Sequence, residues 1–342
     1  MRARLIYNPT SGHETMNSNV GDILNIIEKA GYEASAYRTT PKKNSAKDEA
    51  RRVAKEGFDL IVAAGGDGTI NEVVNGIADL DHRPEMAIIP AGTTNDYARA
   101  LKIPRDDVVE AAKVILKGQK LPVDIGQAGK SYFINIAGGG SMTELTYEVP
   151  SAYKSILGYL AYLVKGAEML PRISPIDMHI EYDDGVFDGK ATMFLIGLTN
   201  SIGGMEQIAP NSVIGDGTFS LIIVKETNLR DLVHLIALVL NGGRHVYNPK
   251  VIYTKTKKIS VKANDENRVM VNLDGEYGGD APMEFTNLHN HLNIYANVDS
   301  IPLKAIDTST LSEKDAGEKI IEEEKNLDSD KSDNDKEKET DK

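Results

Sequence analysis

The feature that most constrains this chain is a rhythm: up to about residue 128, short apolar runs alternate with segments whose apolar residues recur at helical spacing. Arg4–Tyr7, Ala34–Arg38, Asp59–Ala63, Met86–Ile89 and Leu121–Ile125 have the length of strands. Between them Val20, Ile23, Leu24 and Ile27 fall at i, i+3, i+4 and i+7, with Gly31 placed to end the helix. Ile70, Val73, Val74 and Ile77 repeat that spacing. Single strands separated by helices predict a parallel sheet covered by helices, an α/β domain over residues 1–128.

From Ser131 to about Val298 the rhythm becomes strand-rich. The runs Phe194–Leu198, Phe219–Val224, Lys258–Lys262 and Val269–Leu273 are punctuated by the turns Asp183-Asp184-Gly185, Gly215-Asp216-Gly217 and Asp274-Gly275. They predict a second, mainly antiparallel domain over 129–295, interrupted by helical segments at Ser151–Met169 and Leu229–Asn241. Two cores are the natural outcome for 342 residues.

The formal net charge of −12 sits largely at the end of the chain, where fourteen Asp or Glu face seven Lys beyond Ala305. Such a composition cannot bury enough apolar area to offset chain entropy, so 305–342 is expected to be a disordered acidic tail. The body is only mildly acidic, and neither part offers the basic surface that a phosphate backbone requires, which excludes nucleic acid as a partner. The absence of cysteine excludes a disulfide framework, thiolate zinc and cysteine catalysis, and fits a reducing compartment. The apolar stretch before Asn8-Pro9 is too short for an export signal. The most apolar windows, Ile156–Val164 and Leu232–Leu240, fall far below the ~20 residues needed to cross a bilayer. A cytoplasmic protein is expected.

Three loops at the C-terminal ends of the expected parallel strands share one make-up: Asn8-Pro9-Thr10-Ser11-Gly12, Gly65-Gly66-Asp67-Gly68-Thr69 and Gly92-Thr93-Thr94-Asn95-Asp96. Ligands bind along this edge of open α/β sheets, so convergence of the three makes a site. Glycines in the middle loop allow backbone amides to approach an anion, Thr69 and Glu72 form a capping box, and the helix that follows points free amides at the same place. Asp67 and Asp96 would repel phosphate without a cation between them, which argues for Mg²⁺ carried with a nucleotide polyphosphate. Taken alone, the Gly-Gly-Asp-Gly loop is equally a tight turn. A Walker motif, a dinucleotide fingerprint and the protein-kinase motifs are all missing. In the second domain Val271-Asn272-Leu273-Asp274-Gly275-Glu276 outlines a strand entering an Asp-Gly turn. It is either a plain hairpin with an exposed glutamate or a carboxylate poised to take a proton from an attacking hydroxyl. Gly215-Asp216-Gly217-Thr218 by itself is a turn.

These four motifs, in this order and at these separations, resemble the bacterial diacylglycerol kinase family, and the likeness is closest to its soluble Gram-positive type. It extends to about Val298 and takes in Lys165-Gly166-Ala167-Glu168-Met169-Leu170-Pro171 and Asp274-Gly275-Glu276-Tyr277-Gly278-Gly279. The resemblance implies an α/β nucleotide-binding domain, to which the chain returns near 296–304, followed by a β-sandwich domain, with ATP and lipid meeting in the cleft. It implies that Asn8, Pro9, Thr10, Ser11, Gly12, Thr39, Gly65, Gly66, Asp67, Gly68, Thr69 and Thr93 contact ATP. Glu276 would be the general base and Asp67 a ligand of the catalytic Mg²⁺. A second Mg²⁺ would be held by Asp216 and the carbonyls of Val213 and Thr218, with Asp96 and Asp124 in a water network joining it to the site. One departure is His13, which stands where the family carries lysine or arginine.

The reaction so implied is transfer of the γ-phosphoryl group of ATP to diacylglycerol, by a peripheral homodimer at the inner face of the cell membrane. Lys154 and Lys165 would fall within roughly 20° of each other around a helix, a basic face suited to anionic headgroups. Other acceptors, namely sphingoid bases, phosphatidylglycerol or NAD, remain open, as does a non-catalytic nucleotide-dependent lipid sensor. The third loop speaks against NAD, and the joint presence of Asp67, Asp96 and Glu276 speaks against a sensor.

Overall fold

The computed structural model describes residues 1–11, 15–140, 174–201 and 207–307. Strands β1 (Arg2–Tyr7), β2 (Glu33–Arg38), β3 (Leu60–Gly65) and β4 (Glu85–Pro90) form a parallel layer in the order β2-β1-β3-β4. All six residues of the central β3 are buried, as a strand covered on both faces requires. Helices α1 (Thr15–Lys29), α2 (Ser45–Lys55), α3 (Asp67–Ile77), the short α4 (Asp96–Ala100) and α5 (Val108–Lys117) flank the layer. The helical stripes deliver Ile23, Ile27, Ile70, Val73, Val74 and Ile77 to the first core.

The long antiparallel pair β5 (Lys120–Ala128) and β15 (Met283–Tyr295) joins the two halves. Leu121, Val123, Ile125, Leu292 and Ile294 lie in the first core, whereas Ala128 and Phe285 lie in the second. The chain thus re-enters the α/β domain within β15 itself, from Leu292 onward, and not first at 296. Between them run β6 (Ser131–Phe133), β7 (Ile136–Gly140), β8 (Ile176–Tyr182), β9 (Gly185–Gly197), β10 (Phe219–Lys225), β11 (Val251–Thr256), β12 (Lys258–Ala263), β13 (Met270–Leu273) and β14 (Glu276–Asp280). They pair antiparallel in the order β14-β13-β7-β9-β8-β12-β15, with β10 beside β9 and β11 beside β10.

Four phenylalanines centre the second core: Phe133 stacks on Phe219 at 5.7 Å between ring centroids, and Phe285 meets Phe133 and Phe194 edge-on. Helix α6 (Leu229–Leu240) covers a third, smaller cluster built on Ile222, Val224, Leu235 and Val251. At the other end, Ile306 is buried and pairs with Ile214, because an apolar residue at that point still has a core to join; the acidic tail therefore starts later than Ala305. Residues 308–342 and the segment expected to place Lys154 and Lys165 on one helix face lie outside the described residues. No helix among the described residues is long and apolar enough to cross a membrane.

Candidate active site

Each of the three loops leaves the C-terminal end of a parallel strand: Asn8–Ser11 after β1, Gly65–Thr69 at the end of β3 and Gly92–Asp96 after β4. Gly12 and His13 lie outside the described residues. Asn8 donates its amide to the Ala64 carbonyl at 2.9 Å and accepts from the amide and hydroxyl of Thr10, which fixes the first turn. The second and third loops are zipped together. A Cβ on Gly92 would come within 2.7 Å of Gly66 Cα, so these two glycines are dictated first by each other and not by an anion. Asn95, in the left-handed region at φ 48°, brackets Gly92 through both ends of its side-chain amide. Asp67 Oδ2 accepts from Thr94 Oγ1 at 2.8 Å and from the Asn95 amide at 3.1 Å.

The expected capping box is corrected. Helix α3 begins at Asp67 with extended Gly66 as N-cap, so Thr69 already sits inside the first turn. Glu72 turns away from Thr69 and accepts from the amides of Asn44 and Ala46, capping α2 instead.

Between the loops and the second domain lies a cavity of about 790 Å³. Among the expected nucleotide contacts, Asn8, Thr39, Gly68 and Thr69 line it, together with Glu276. Pro9, Thr10, Ser11, Gly65, Gly66, Asp67 and Thr93 stand outside its lining; Thr93 is exposed. The lining also includes Tyr277 of the Asp274–Gly279 run, and Lys42, Lys43, Lys47, Asn71, Asn75 and Tyr132, none of which the sequence singled out. The three lysines give the cavity positive charge that the glycine loops lack. A lysine cluster is ordinarily a solvated helix start, and only the folding of that turn over the cavity distinguishes it.

The β13–β14 turn is more than a hairpin tip. Asp274, in the left-handed region at φ 50°, points its carboxylate into a ring of donors: Asn71 Nδ2 at 2.9 Å and the amides of Ile134, Asn135 and Ile136 at 2.7, 3.0 and 2.9 Å. Asn71 and Asn75 both lie on α3, and Asn75 exchanges hydrogen bonds with both backbone groups of Tyr132. The polar face of α3, opposite the apolar stripe that the sequence showed, therefore clamps the second domain. Glu276, two residues on, is exposed, with Oε1 only 3.8 Å from where a Cβ on Gly68 would stand. The base candidate and the first turn of α3 thus face each other across the cavity.

The carboxylates carry an unrelieved burden of negative charge. Burial, reinforced by Asp96 and Asp274, outweighs the bonds from Thr94 and Asn95 and pushes the Asp67 carboxyl up to about 6. Burial likewise raises Asp274 and Asp124 above the ordinary carboxylate range. Asp96 accepts from Ser201 Oγ at 3.1 Å, and Asn135 joins Ser201 and Thr199 to the strand that holds Asp274. A hydrogen-bonded string therefore connects Asp96 to Asp274 across the domains.

Asp216 is not part of that cluster. Its Oδ1 accepts from the amide and hydroxyl of Thr218, and its Oδ2 pairs with Lys255 at 3.0 Å. Asp124 sits alongside, accepting from the amides of Gly217 and Asn290. Val213 precedes Ile214, which holds the 305–307 segment. Among the described residues no group of three or more His, Cys, Asp or Glu forms a ready metal cage. Tyr97, directly after Asp96, carries a buried hydroxyl with no hydrogen-bond partner among the described residues, within electrostatic reach of Asp124 and Asp274.

Residues 2–128 match the diacylglycerol kinase catalytic domain, and residues 145–296 match the YegS C-terminal NAD kinase β-sandwich-like domain. The chain is 51% identical over 293 residues to a diacylglycerol kinase of Bacillus subtilis, covering 86% of this chain and 95% of that one. It is 46% identical over 322 residues to a diacylglycerol kinase of Staphylococcus aureus, covering 94% and 99%. A crystal structure of a diacylglycerol kinase from Bacillus anthracis superposes with a TM-score of 0.72 at 28% identity, covering 86% of this chain and 97% of that one. The chain belongs to the diacylglycerol kinase family.

Proposed function

We propose that this chain transfers the γ-phosphoryl group of ATP to the free hydroxyl of diacylglycerol, giving phosphatidic acid, with Glu276 taking the hydroxyl proton. The observation that carries the reading is the approach of Glu276 to Gly68: a carboxylate of one domain faces the first turn of α3 in the other, inside one cavity. The cavity admits a nucleotide, and its two sides supply different chemistry. Asn8, Thr39, Gly68 and Thr69 with Lys42, Lys43 and Lys47 hold and neutralise phosphate oxygens, while Glu276 orients the acceptor hydroxyl in line and removes its proton. Most of the rate comes from positioning and electrostatics.

The donor set at Asp67 fits a magnesium ion. A desolvated carboxylate raised to about 6, beside Asp96 and Asp274, gains from a cation brought in with ATP. Held by Asp67, that ion would neutralise charge on the transferred phosphoryl group. The Asp216 set fits less simply, since an ion there would compete with Lys255 for Oδ2. The Tyr97 hydroxyl, buried without a partner among the described residues and within electrostatic reach of Asp124 and Asp274, supports buried water linking the two regions.

Because diacylglycerol resides in a bilayer, the reading includes peripheral contact with the membrane, and it retains a homodimer that analytical ultracentrifugation would test. The assay for the reaction is γ-labelled ATP with mixed micelles of candidate lipids. Glu276→Gln should lower turnover by roughly 10²–10⁴ with little change in the KM for ATP. Near wild-type turnover of that variant, or labelling of every lipid but diacylglycerol, would sink the assignment.

A further inference from the structure

The window Leu232–Leu240, too short to cross a membrane, forms most of helix α6, and the inner side of that helix is accounted for: Leu232 and Leu235 are buried. Its outer side is not. At about 100° per residue, Arg230, Val233, His234, Ala237, Leu240 and Asn241 share one arc, and all six are exposed. Val233 is 53% and Leu240 60% exposed, about 10 Å apart along the helix. The chain then passes through a glycine turn into the helical turn Arg244–Tyr247, where Tyr247 is 82% exposed. Three of the seven large apolar or aromatic side chains exposed among the described residues therefore gather on this one element and its end.

The turn is built to hold them there. Gly243 has φ 70°, and a Cβ on it would strike the Gln207 carbonyl at 2.8 Å. His245, between Arg244 and Tyr247, is buried and bonded to the Ile208 carbonyl. The charge pattern is equally one-sided. Arg230, His234 and Arg244 flank the apolar residues, while the helix's one acid, Asp231, lies on the flank and pairs with Lys250 at 3.3 Å. In a chain whose formal charge is −12, an exposed apolar strip edged with arginine, with no carboxylate of α6 on its arc, is complementary to one kind of partner. We infer that the outer face of α6, with Tyr247, docks this protein on an anionic phospholipid bilayer.

An interfacial helix needs an apolar face, cationic edges and an aromatic side chain near the headgroups, and all three are present. The surface also stands in mechanical contact with the site. Leu235 packs in the third cluster, Ile136 packs against the same cluster, and the Ile136 amide donates to Asp274 beside Glu276. The inference rests on the reading that the acceptor is a membrane lipid, and its test separates the two.

Flotation of the full chain with vesicles of phosphatidylcholine and phosphatidylglycerol is compared for the wild type and the doubly substituted Val233→Glu, Leu240→Glu protein. Both positions are exposed, so folding should be retained, which circular dichroism checks. The expected result is a loss of vesicle partitioning of roughly tenfold or more. Phosphorylation of diacylglycerol presented in those vesicles should fall in parallel, while phosphorylation of a short-chain diacylglycerol dispersed as monomer is unchanged. Arg230→Glu with Arg244→Glu should weaken binding to phosphatidylglycerol vesicles and remove most of its salt dependence. Equal partitioning of the Val233→Glu, Leu240→Glu protein would overturn the inference. So would a change of oligomeric state with vesicle binding intact, which would make the face a protein interface. If the wild type binds vesicles through this face but labels no diacylglycerol, the docking surface stands and the acceptor assignment falls.

Discussion

Replacing Asp274 by Asn isolates what the β13–β14 turn contributes. Asn tolerates the left-handed φ of 50° at least as well as Asp, so the backbone gives no reason for a change. The hydrogen bonds do. Oδ2 accepts from Asn71 Nδ2 and the Ile134 amide, and Oδ1 accepts from the amides of Asn135 and Ile136. Whichever way an asparagine amide is turned, its NH₂ meets two donors, leaving both without an acceptor. Asn71 cannot flip to compensate, because its own Oδ1 accepts from Asn75 Nδ2 at 3.1 Å. Two buried donors left unmet cost about 1–3 kcal/mol each, and removing a desolvated charge returns part of this, so the expected net loss is about 2–4 kcal/mol. Urea unfolding measures that loss. In activity assays kcat should fall at least about tenfold while the KM for ATP changes little, since Glu276 loses its fixed base and Asn8 and Thr39 do not. A variant within about 0.5 kcal/mol of wild-type stability and with wild-type kcat would refute the idea that Asp274 positions the turn.

Three further outcomes follow from single features. Tyr97→Phe tests for water by sign: a hydroxyl bridged by water costs about 1 kcal/mol to remove, whereas a dry one is released from a penalty, and we expect a lower melting temperature and a reduced kcat. Glu72→Gln weakens the cap on α2 by about 1 kcal/mol and should raise the KM for ATP several-fold with kcat less affected, since the capped turn carries Lys42, Lys43 and Lys47. Burial holds the imidazoles of His245 and His291 below the ordinary histidine range, so below about 6.5 these two bind more protons in the unfolded chain than in the folded one and their contribution to stability falls as pH falls, opposed by the Asp67 carboxyl raised to about 6. Urea midpoints between pH 7.5 and 5.5 check the slope, which the paired His→Gln substitutions should flatten.

How much of this was legible in the sequence depended on where each residue's partners lie. The parallel layer is local patterning, and Ile23, Ile27, Ile70 and Val74 reach the core that their spacing assigned them. Strand β7 carried no such signal, because Gly138, Gly139 and Gly140 have no side chains to alternate; Gly138 and Gly139 serve instead as space into which Leu195 and Phe194 pack. Asp274 looked like the acid of any Asp-Gly turn. Its donors lie 203 residues away at Asn71 and 140 away at Ile134, a distance over which no periodicity speaks. Lys42, Lys43 and Lys47 failed for the opposite reason, since their composition was already explained by exposure on a helix start.

The same long-range bonds decide how the two domains work together. A cleft enzyme whose halves touched only through β5 and β15 could open as a hinge and assemble its site on closing. Here α3, which begins at the glycine loop, also supplies Asn71 to Asp274 and Asn75 to Tyr132, so the glycine loops and the turn that carries Glu276 hang on one helix. The string from Asp96 through Ser201 and Asn135 to Asp274 ties them a second time. Separating the domains would break several of these hydrogen bonds at once, each worth about 0.5–1.5 kcal/mol net of the water that replaces it. The turn that carries Glu276 is therefore held opposite the first turn of α3. If Glu276 is the base proposed above, what must move is the acceptor, whose hydroxyl has to reach a turn that stays where the fold has put it.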